Sequence, residues 1–156
     1  MGSTSASLIL KNPDLWLGGD QAAASSQFFK AKGIQAVLNC TPEVPHYFSS
    51  RGVEYARISL GDSREEDDMD SMEKLLEFGA EWIHVHRDIY GKVVFVHCNQ
   101  GISRSATCLA AYLIKYKGMS FQEVKDLYAI SRQAAFYHGA YATFEPILVK
   151  WEKKYH

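Results

Sequence analysis

His97-Cys98-Asn99-Gln100-Gly101-Ile102-Ser103-Arg104-Ser105, preceded by Val93-Val94-Phe95-Val96, is the stretch from which the rest of the chain can be read. A short β-branched and aromatic run of this kind signals a buried strand. It delivers a cysteine to a loop of small and polar residues, which ends on an arginine where the helical pattern of residues 106–117 begins. A strand, a tight loop and a helix N-terminus form an anion cradle, because backbone N–H groups and the helix dipole converge there. Such fields lower a thiol pKa from about 8.5 to roughly 3.5–7.5, so Cys98 is expected to act as a nucleophile. Arg104 adds a planar fork matched to two phosphate oxygens. A nucleophile beneath a bound phosphate is equipped for phosphoryl transfer to sulfur.

Working outward, residues 5–10 and 15–18 read as a hairpin turned at Asn12-Pro13-Asp14. Asp20 is placed to cap a helix running to Lys32, ended by Gly33. Residues 36–39 and 55–60 read as further strands. Asp70-Ser71-Met72-Glu73 predicts the start of the next helix, with Met72, Leu75, Leu76, Gly79, Trp82 and Ile83 on one face. Ser120-Phe121-Gln122-Glu123 is a capping box opening a helix with Phe121, Val124, Leu127 and Tyr128 inward. Tyr141, Phe144, Leu148 and Trp151 stripe the last helix. Strands separated by helices predict an α/β fold, a mainly parallel central sheet with helices on both faces.

With these segments in place, the chain resembles the dual-specificity branch of the cysteine-dependent protein tyrosine phosphatases. His-Cys-x-x-Gly-x-x-Arg followed by Ser carries the resemblance, and Gly101-Ile102-Ser103-Arg104-Ser105 narrows it to that branch. Leu15-Trp16-Leu17-Gly18-Gly19 with Ala22-Ala23, Gly33-Ile34-Gln35-Ala36-Val37-Leu38-Asn39, and Ala111-Tyr112-Leu113-Ile114 extend it over almost the whole chain. It implies a single catalytic domain over residues 1–156 with a protein tyrosine phosphatase-like fold. The implied activity is hydrolysis of phosphotyrosine and phosphoserine or phosphothreonine through a phosphocysteine intermediate. No cofactor and no metal are implied.

The resemblance also distributes roles. Cys98 is the expected nucleophile. Arg104 and the amides of Asn99, Gln100, Gly101, Ile102 and Ser103 are expected to bind the phosphate, with Gly101 allowing a backbone path that a side chain would obstruct. Ser105 is expected to assist the departing thiolate, and it also suits the first turn of the helix. His97 is expected to order the loop by hydrogen bonds, not to act as the acid. In the family's pattern the general acid falls seven residues after the strand tyrosine, which assigns Asp62 from Tyr55. Asp67 and Asp68 are rival carboxylates in the acidic run that follows. One departure is the absence of a Pro-Asn pair after Arg132, where Gln133-Ala134-Ala135-Phe136-Tyr137-His138 stands.

Composition excludes other classes more than it selects this one. Of 156 residues, 47% are hydrophobic and 22% charged, ordinary for a globular domain. Lysine and arginine number 17 against 18 acidic residues, so no overall field favours nucleic acid or anionic membrane. Neither a membrane-spanning apolar run nor a secretory leader pattern is present. Met1-Gly2 does not continue into the myristoylation pattern, since Ala6 stands where Ser or Thr is required. Cys40, Cys98 and Cys108 are too few and too odd for a disulfide framework, and Cys40 and Cys108 read as structural.

The expected partners are phosphorylated proteins, with the chain acting as a monomer in the cytoplasm or the nucleus. Two alternatives stand beside this reading. A phosphoinositide or RNA 5′-phosphatase would use the same loop, but multiply charged substrates favour additional basic residues, and Arg104 is the loop's one cation. A phosphate-binding pseudophosphatase would lack the nucleophile or the acid. Pro45-His46-Tyr47-Phe48 reads either as a rim of the site or as aromatics packed on the sheet.

Overall fold

The strand that leads into Cys98 is the centre of the sheet in the computed structural model, which describes residues 6–59, 66–99, 104–131 and 145–156. The strands are β1 (Ala6–Leu10), β2 (Leu15–Gly18), β3 (Ala36–Asn39), β4 (Glu54–Arg57) and β5 (Val94–His97). They lie in the order β1-β2-β5-β3-β4. β5 runs parallel to both β2 and β3, and β3 runs parallel to β4. Among the described residues, the β1–β2 hairpin is the one antiparallel pairing. β2, β3 and β5 are buried along their whole length, which is why they read as continuous apolar runs.

Alternation along the strands builds two separate cores. Val94, Val96 and Cys98 join Leu15, Leu17, Leu38 and Cys40 on one face. That face is covered by α3 (Glu66–Ile83), α4 (Arg104–Lys117), α5 (Phe121–Ser131) and α6 (Glu145–Tyr155). Phe95, Trp16 and Val37 point the other way, against Phe29 and Phe48. The short helices α1 (Asp20–Ala23) and α2 (Ser26–Lys32) cover this second face. The mainly parallel α/β sandwich expected from the sequence is the fold observed.

α4 is the buried helix of the larger core. Its side chains from Ser105 to Ile114 are all buried, as expected for a helix enclosed on every side. Neighbouring helices tie it down through its own carbonyls. Tyr128 Oη donates to Ala106 O at 2.7 Å, and Trp151 Nε1 donates to Ala111 O at 3.0 Å. These buried hydrogen bonds anchor α4 at its first turn and near its middle.

Several local expectations are met. Ser120 N donates to Glu123 Oε1 at 2.9 Å and Glu123 N to Ser120 Oγ at 3.0 Å, a complete capping box. Phe121, Val124 and Tyr128 face inward. Gly33 ends α2 in the left-handed region at φ 65°. Leu148 and Trp151 are buried on α6, while Tyr141 and Phe144 lie outside the described residues.

Others are corrected. The helix expected from Asp20 to Lys32 is two helices, because Ser25 caps a second start by accepting from Phe28 N at 3.1 Å. Asp20 lies in the first turn of α1, and Gly19 holds the cap position. The fourth strand starts at Glu54 and stops at Arg57, and Leu60 lies outside the described residues. α3 begins at Glu66, so Asp70 is inside the helix and does not cap it. Its C-terminal end widens into a π-turn over His84–Ile89, with Tyr90 N bonding Val85 O at 2.9 Å. His84 and His86 engage different partners there, Asp88 at 3.0 Å and Glu54 at 3.1 Å.

Candidate active site

Three parallel strands end together where Cys98 emerges, and their main chains lock one another. Cys40 N donates to His97 O at 2.8 Å, Cys98 N to Gly18 O at 3.4 Å, and Asp20 N to Asn99 O at 2.8 Å. The cysteine therefore leaves the sheet on a backbone bonded on both sides. Ligands of open α/β sheets bind at the carboxyl ends of the strands, and this is such an end.

Alternation sends Cys98 and His97 to opposite faces of the sheet. Cys98 belongs to the helix-covered core of α3 to α6 and is 3% exposed. Ser105, fully buried in the first turn of α4, donates its hydroxyl to Cys98 Sγ at 3.1 Å. Arg104, the first residue of α4, is half-buried beside it.

His97 stacks on Phe95 with ring centroids 5.4 Å apart, on the other face. Its Nδ1 lies 3.3 Å from Cys98 O, and a carbonyl can only accept, so Nδ1 carries the hydrogen. Burial pushes the imidazole down to about 4, reinforced by His46 and Arg57 and opposed by the bond to Cys98 O. The neutral His97 is thus tied to the main-chain carbonyl of its neighbour Cys98. Its Nε2 is buried with no hydrogen-bond partner among the described residues.

The segment from Cys40 to Phe48 forms the neighbouring wall. Asn39 Oδ1 accepts from Thr41 N at 3.0 Å and from Thr41 Oγ1 at 2.8 Å, and Asn39 Nδ2 donates to Val44 O at 2.7 Å. Thr41 Oγ1 accepts from Val44 N at 3.0 Å. Arg57 donates to Thr41 O and Val44 O, both at 2.8 Å. Asn99 Nδ2 then bridges to this wall, donating to Glu43 Oε1 at 2.9 Å. His46 stacks on Tyr55 and Phe48 is buried on the sheet, which leaves Tyr47, 46% exposed, as the open aromatic of that run.

Cys40 and Cys108 are fully buried, as expected of structural cysteines. Burial pushes the Cys40 thiol well up, and its hydrogen bond with Cys108 acts in the same direction. Cys98 adds to that push, while Arg104 opposes it.

The structure thus brings together Cys98, Asn99, Arg104, Ser105 and, across the sheet, His97. Gln100, Gly101, Ile102, Ser103 and Asp62 lie outside the described residues, as does the segment after Arg132. Asp67 and Asp68 fall in the first turn of α3. No group of three or more His, Cys, Asp or Glu side chains suited to a metal occurs among the described residues. No described helix is long and apolar enough to cross a membrane. The Asn39–Thr41–Val44 bonds and the Glu43–Asn99 contact were not anticipated. Asn39-Cys40-Thr41 does carry the composition of a side-chain-stabilised turn, a signal that could have found the first of these.

Residues 15–154 match the family model "Dual specificity phosphatase, catalytic domain". The protein-tyrosine-phosphatase MKP1 of Arabidopsis thaliana is 34% identical over 110 residues, covering 70% of this chain and 13% of that protein. The human dual specificity protein phosphatase 4 is 34% identical over 111 residues, covering 71% of this chain and 27% of that protein. The chain therefore spans less than a third of the length of these curated relatives. The crystal structure of human DUSP28 superposes with a TM-score of 0.73 at 22% identity, covering 96% of this chain and 93% of that one, a likeness of fold.

Proposed function

The chain belongs to the dual specificity phosphatase catalytic-domain family, and we propose that it removes phosphate from phosphorylated protein side chains through a phosphocysteine at Cys98. The observation that carries this reading is the hydroxyl of Ser105 directed at Cys98 Sγ, 3.1 Å away at the start of the helix that Arg104 opens. A structural cysteine gains little from such a donor. A sulfur that must leave phosphorus as a thiolate gains much.

In the first step the Cys98 thiolate forms an S–P bond as the bond from phosphorus to the side-chain oxygen breaks. Asp62 gives its proton to that oxygen, so the substrate leaves as a neutral alcohol or phenol. Arg104 and the amides of residues 99–104 bind the three equatorial oxygens, where charge accumulates in the transition state. In the second step water attacks phosphorus and the S–P bond breaks. Asp62, now a carboxylate, takes the water's proton, while Ser105 hydrogen-bonds the departing thiolate. Inorganic phosphate leaves and the thiolate is restored. The amides and Arg104 supply the electrostatics, so no step is routed through a metal. The scheme requires a reduced Cys98 and therefore a reducing compartment.

A side-by-side assay of phosphotyrosine and phosphothreonine peptides, phosphoinositides and 5′-phosphorylated RNA tests the substrate class. Turnover of the peptides, with phosphate trapped on Cys98 by rapid denaturation and none in Cys98→Ser, is the expected result. Faster turnover of the lipid or the RNA would move the assignment to another branch. Binding without turnover by the wild-type protein would mark a phosphate reader.

A further inference from the structure

Glu43 is held beside the residue next to the proposed nucleophile. Its Oε1 accepts from Asn99 Nδ2 at 2.9 Å, and Asn99 is itself tied through its carbonyl to Asp20 N at 2.8 Å. The backbone on either side of Glu43 is equally constrained. Thr41 is fully buried and bonded to Asn39, while Val44 is buried and bonded to both Asn39 and Thr41.

Glu43 itself is exposed, and it has no ion pair among the described residues. Arg57, the cation of this wall, directs both ends of its guanidinium to the carbonyls of Thr41 and Val44. Among the described residues the hydrogen-bond partner of Glu43 is thus the neutral amide of Asn99, which leaves its negative charge un-neutralised one residue along the chain from Cys98.

A charge held this close to a reacting residue acts on substrate selection through its field. We infer that Glu43 is a specificity-determining residue, selecting phosphopeptides with lysine or arginine next to the phosphorylated residue over those with acidic or doubly phosphorylated neighbours. The inference rests on the phosphoprotein reading above and adds a substrate class to it. A carboxylate here repels a second phosphate, which also sets the site against polyphosphorylated lipids.

The test is a pair of phosphothreonine peptides differing only in the flanking residues, lysine in one and glutamate in the other. Wild-type protein should hydrolyse the lysine peptide with a kcat/KM roughly threefold to tenfold higher at low ionic strength. The preference should shrink in 1 M salt, where the Debye length is about 3 Å. Glu43→Gln keeps an oxygen to accept from Asn99 and should lower the ratio to about one to two, an estimate from loss of that one charge. Glu43→Lys should invert it. Because Glu43 is exposed, both variants should keep the wild-type thermal midpoint.

An unchanged ratio in both variants overturns the inference. So does an equal loss on both peptides in Glu43→Gln, which would make Glu43 a positioner of the wall and no more. If wild-type protein hydrolyses neither peptide, the phosphoprotein reading itself falls. Hydrolysis of both with no charge dependence removes this inference alone.

Discussion

Ser105 Oγ lies 3.1 Å from Cys98 Sγ, and both side chains are buried, so the hydroxyl is a fixed donor to the sulfur. A hydrogen bond to a charged group contributes about 1.5–3 kcal/mol. Sulfur bears that charge when it leaves phosphorus. Ser105→Ala should therefore slow hydrolysis of the phosphocysteine by roughly tenfold to a hundredfold, the range of that contribution. With an aryl phosphate, rapid mixing should show a burst of phenol followed by a slow steady state. Ser105→Thr, which retains the hydroxyl, should recover part of the rate. A uniform loss without a burst would show that the contact serves the first step or the fold.

How far the sequence carried this reading differs by element. The β5-loop-α4 unit was legible because its signals are local: an apolar run, a cysteine at its end, and an arginine at the helix start. The capping box at Ser120 was legible for the same reason, since its partners are neighbours on one turn. The break between α1 and α2 was not, because Ser25 competes with Asp20 as a helix start and the apolar spacing runs through both. The start of α3 at Glu66 was missed because the Asp70-Ser71-Met72-Glu73 pattern resembles a cap although the helix passes through it. The Glu43–Asn99 contact joins positions 56 residues apart, and no periodicity encodes a pairing that depends on how two loops meet.

Packing between α3 and α4 gives a test of the core behind Cys98. Gly79 is buried, and a Cβ built there would stand 2.3 Å from Cys108 Sγ and 3.3 Å from Ile58 Cδ1. Cys108 is fully buried and hydrogen-bonded with Cys40, so its sulfur has little room to yield. In an exposed helix, alanine in place of glycine is favourable by about 1 kcal/mol. Here Gly79→Ala should instead destabilise by roughly 1–3 kcal/mol, the usual cost of overpacking. Adding Cys108→Ala should recover most of that loss. Denaturant midpoints of the two single variants and the double variant measure the coupling. Stabilisation by Gly79→Ala alone would show that the two helices are further apart.

His97 makes stability depend on pH in a stated window. Burial holds its folded pKa near about 4, against about 6.5 in an unfolded chain. Between those values the unfolded state binds the extra proton, so stability rises with pH across the window. The contribution is fully present above about pH 6.5 and is lost as pH falls through 4, amounting to about 3 kcal/mol. His46, also lowered by burial, acts in the same direction. Denaturant midpoints from pH 4 to pH 7.5 should show this slope, and His97→Asn should flatten it. As a check that survives a poorly folded variant, the His97 ring in wild-type protein should remain neutral by NMR at pH 5.5. A protonated ring at that pH would show that His97 is less buried than the structure has it, since its bond to Cys98 O would survive protonation.

The proposed acid is tested by the chemistry of the leaving group. General acid catalysis contributes about 10²–10⁴-fold where the departing oxygen needs a proton. A phosphothreonine alkoxide leaves poorly without one, whereas an acidic phenol departs as its anion. Asp62→Asn should therefore cripple hydrolysis of phosphothreonine peptides and reduce turnover of acidic aryl phosphates far less. A plot of log kcat/KM against leaving-group pKa should be shallow for wild-type protein and steep for Asp62→Asn. Asp67→Asn and Asp68→Asn, at the first turn of α3, should keep the shallow slope. A steep slope in either of those variants, with a shallow one in Asp62→Asn, would transfer the proton donor to the start of that helix.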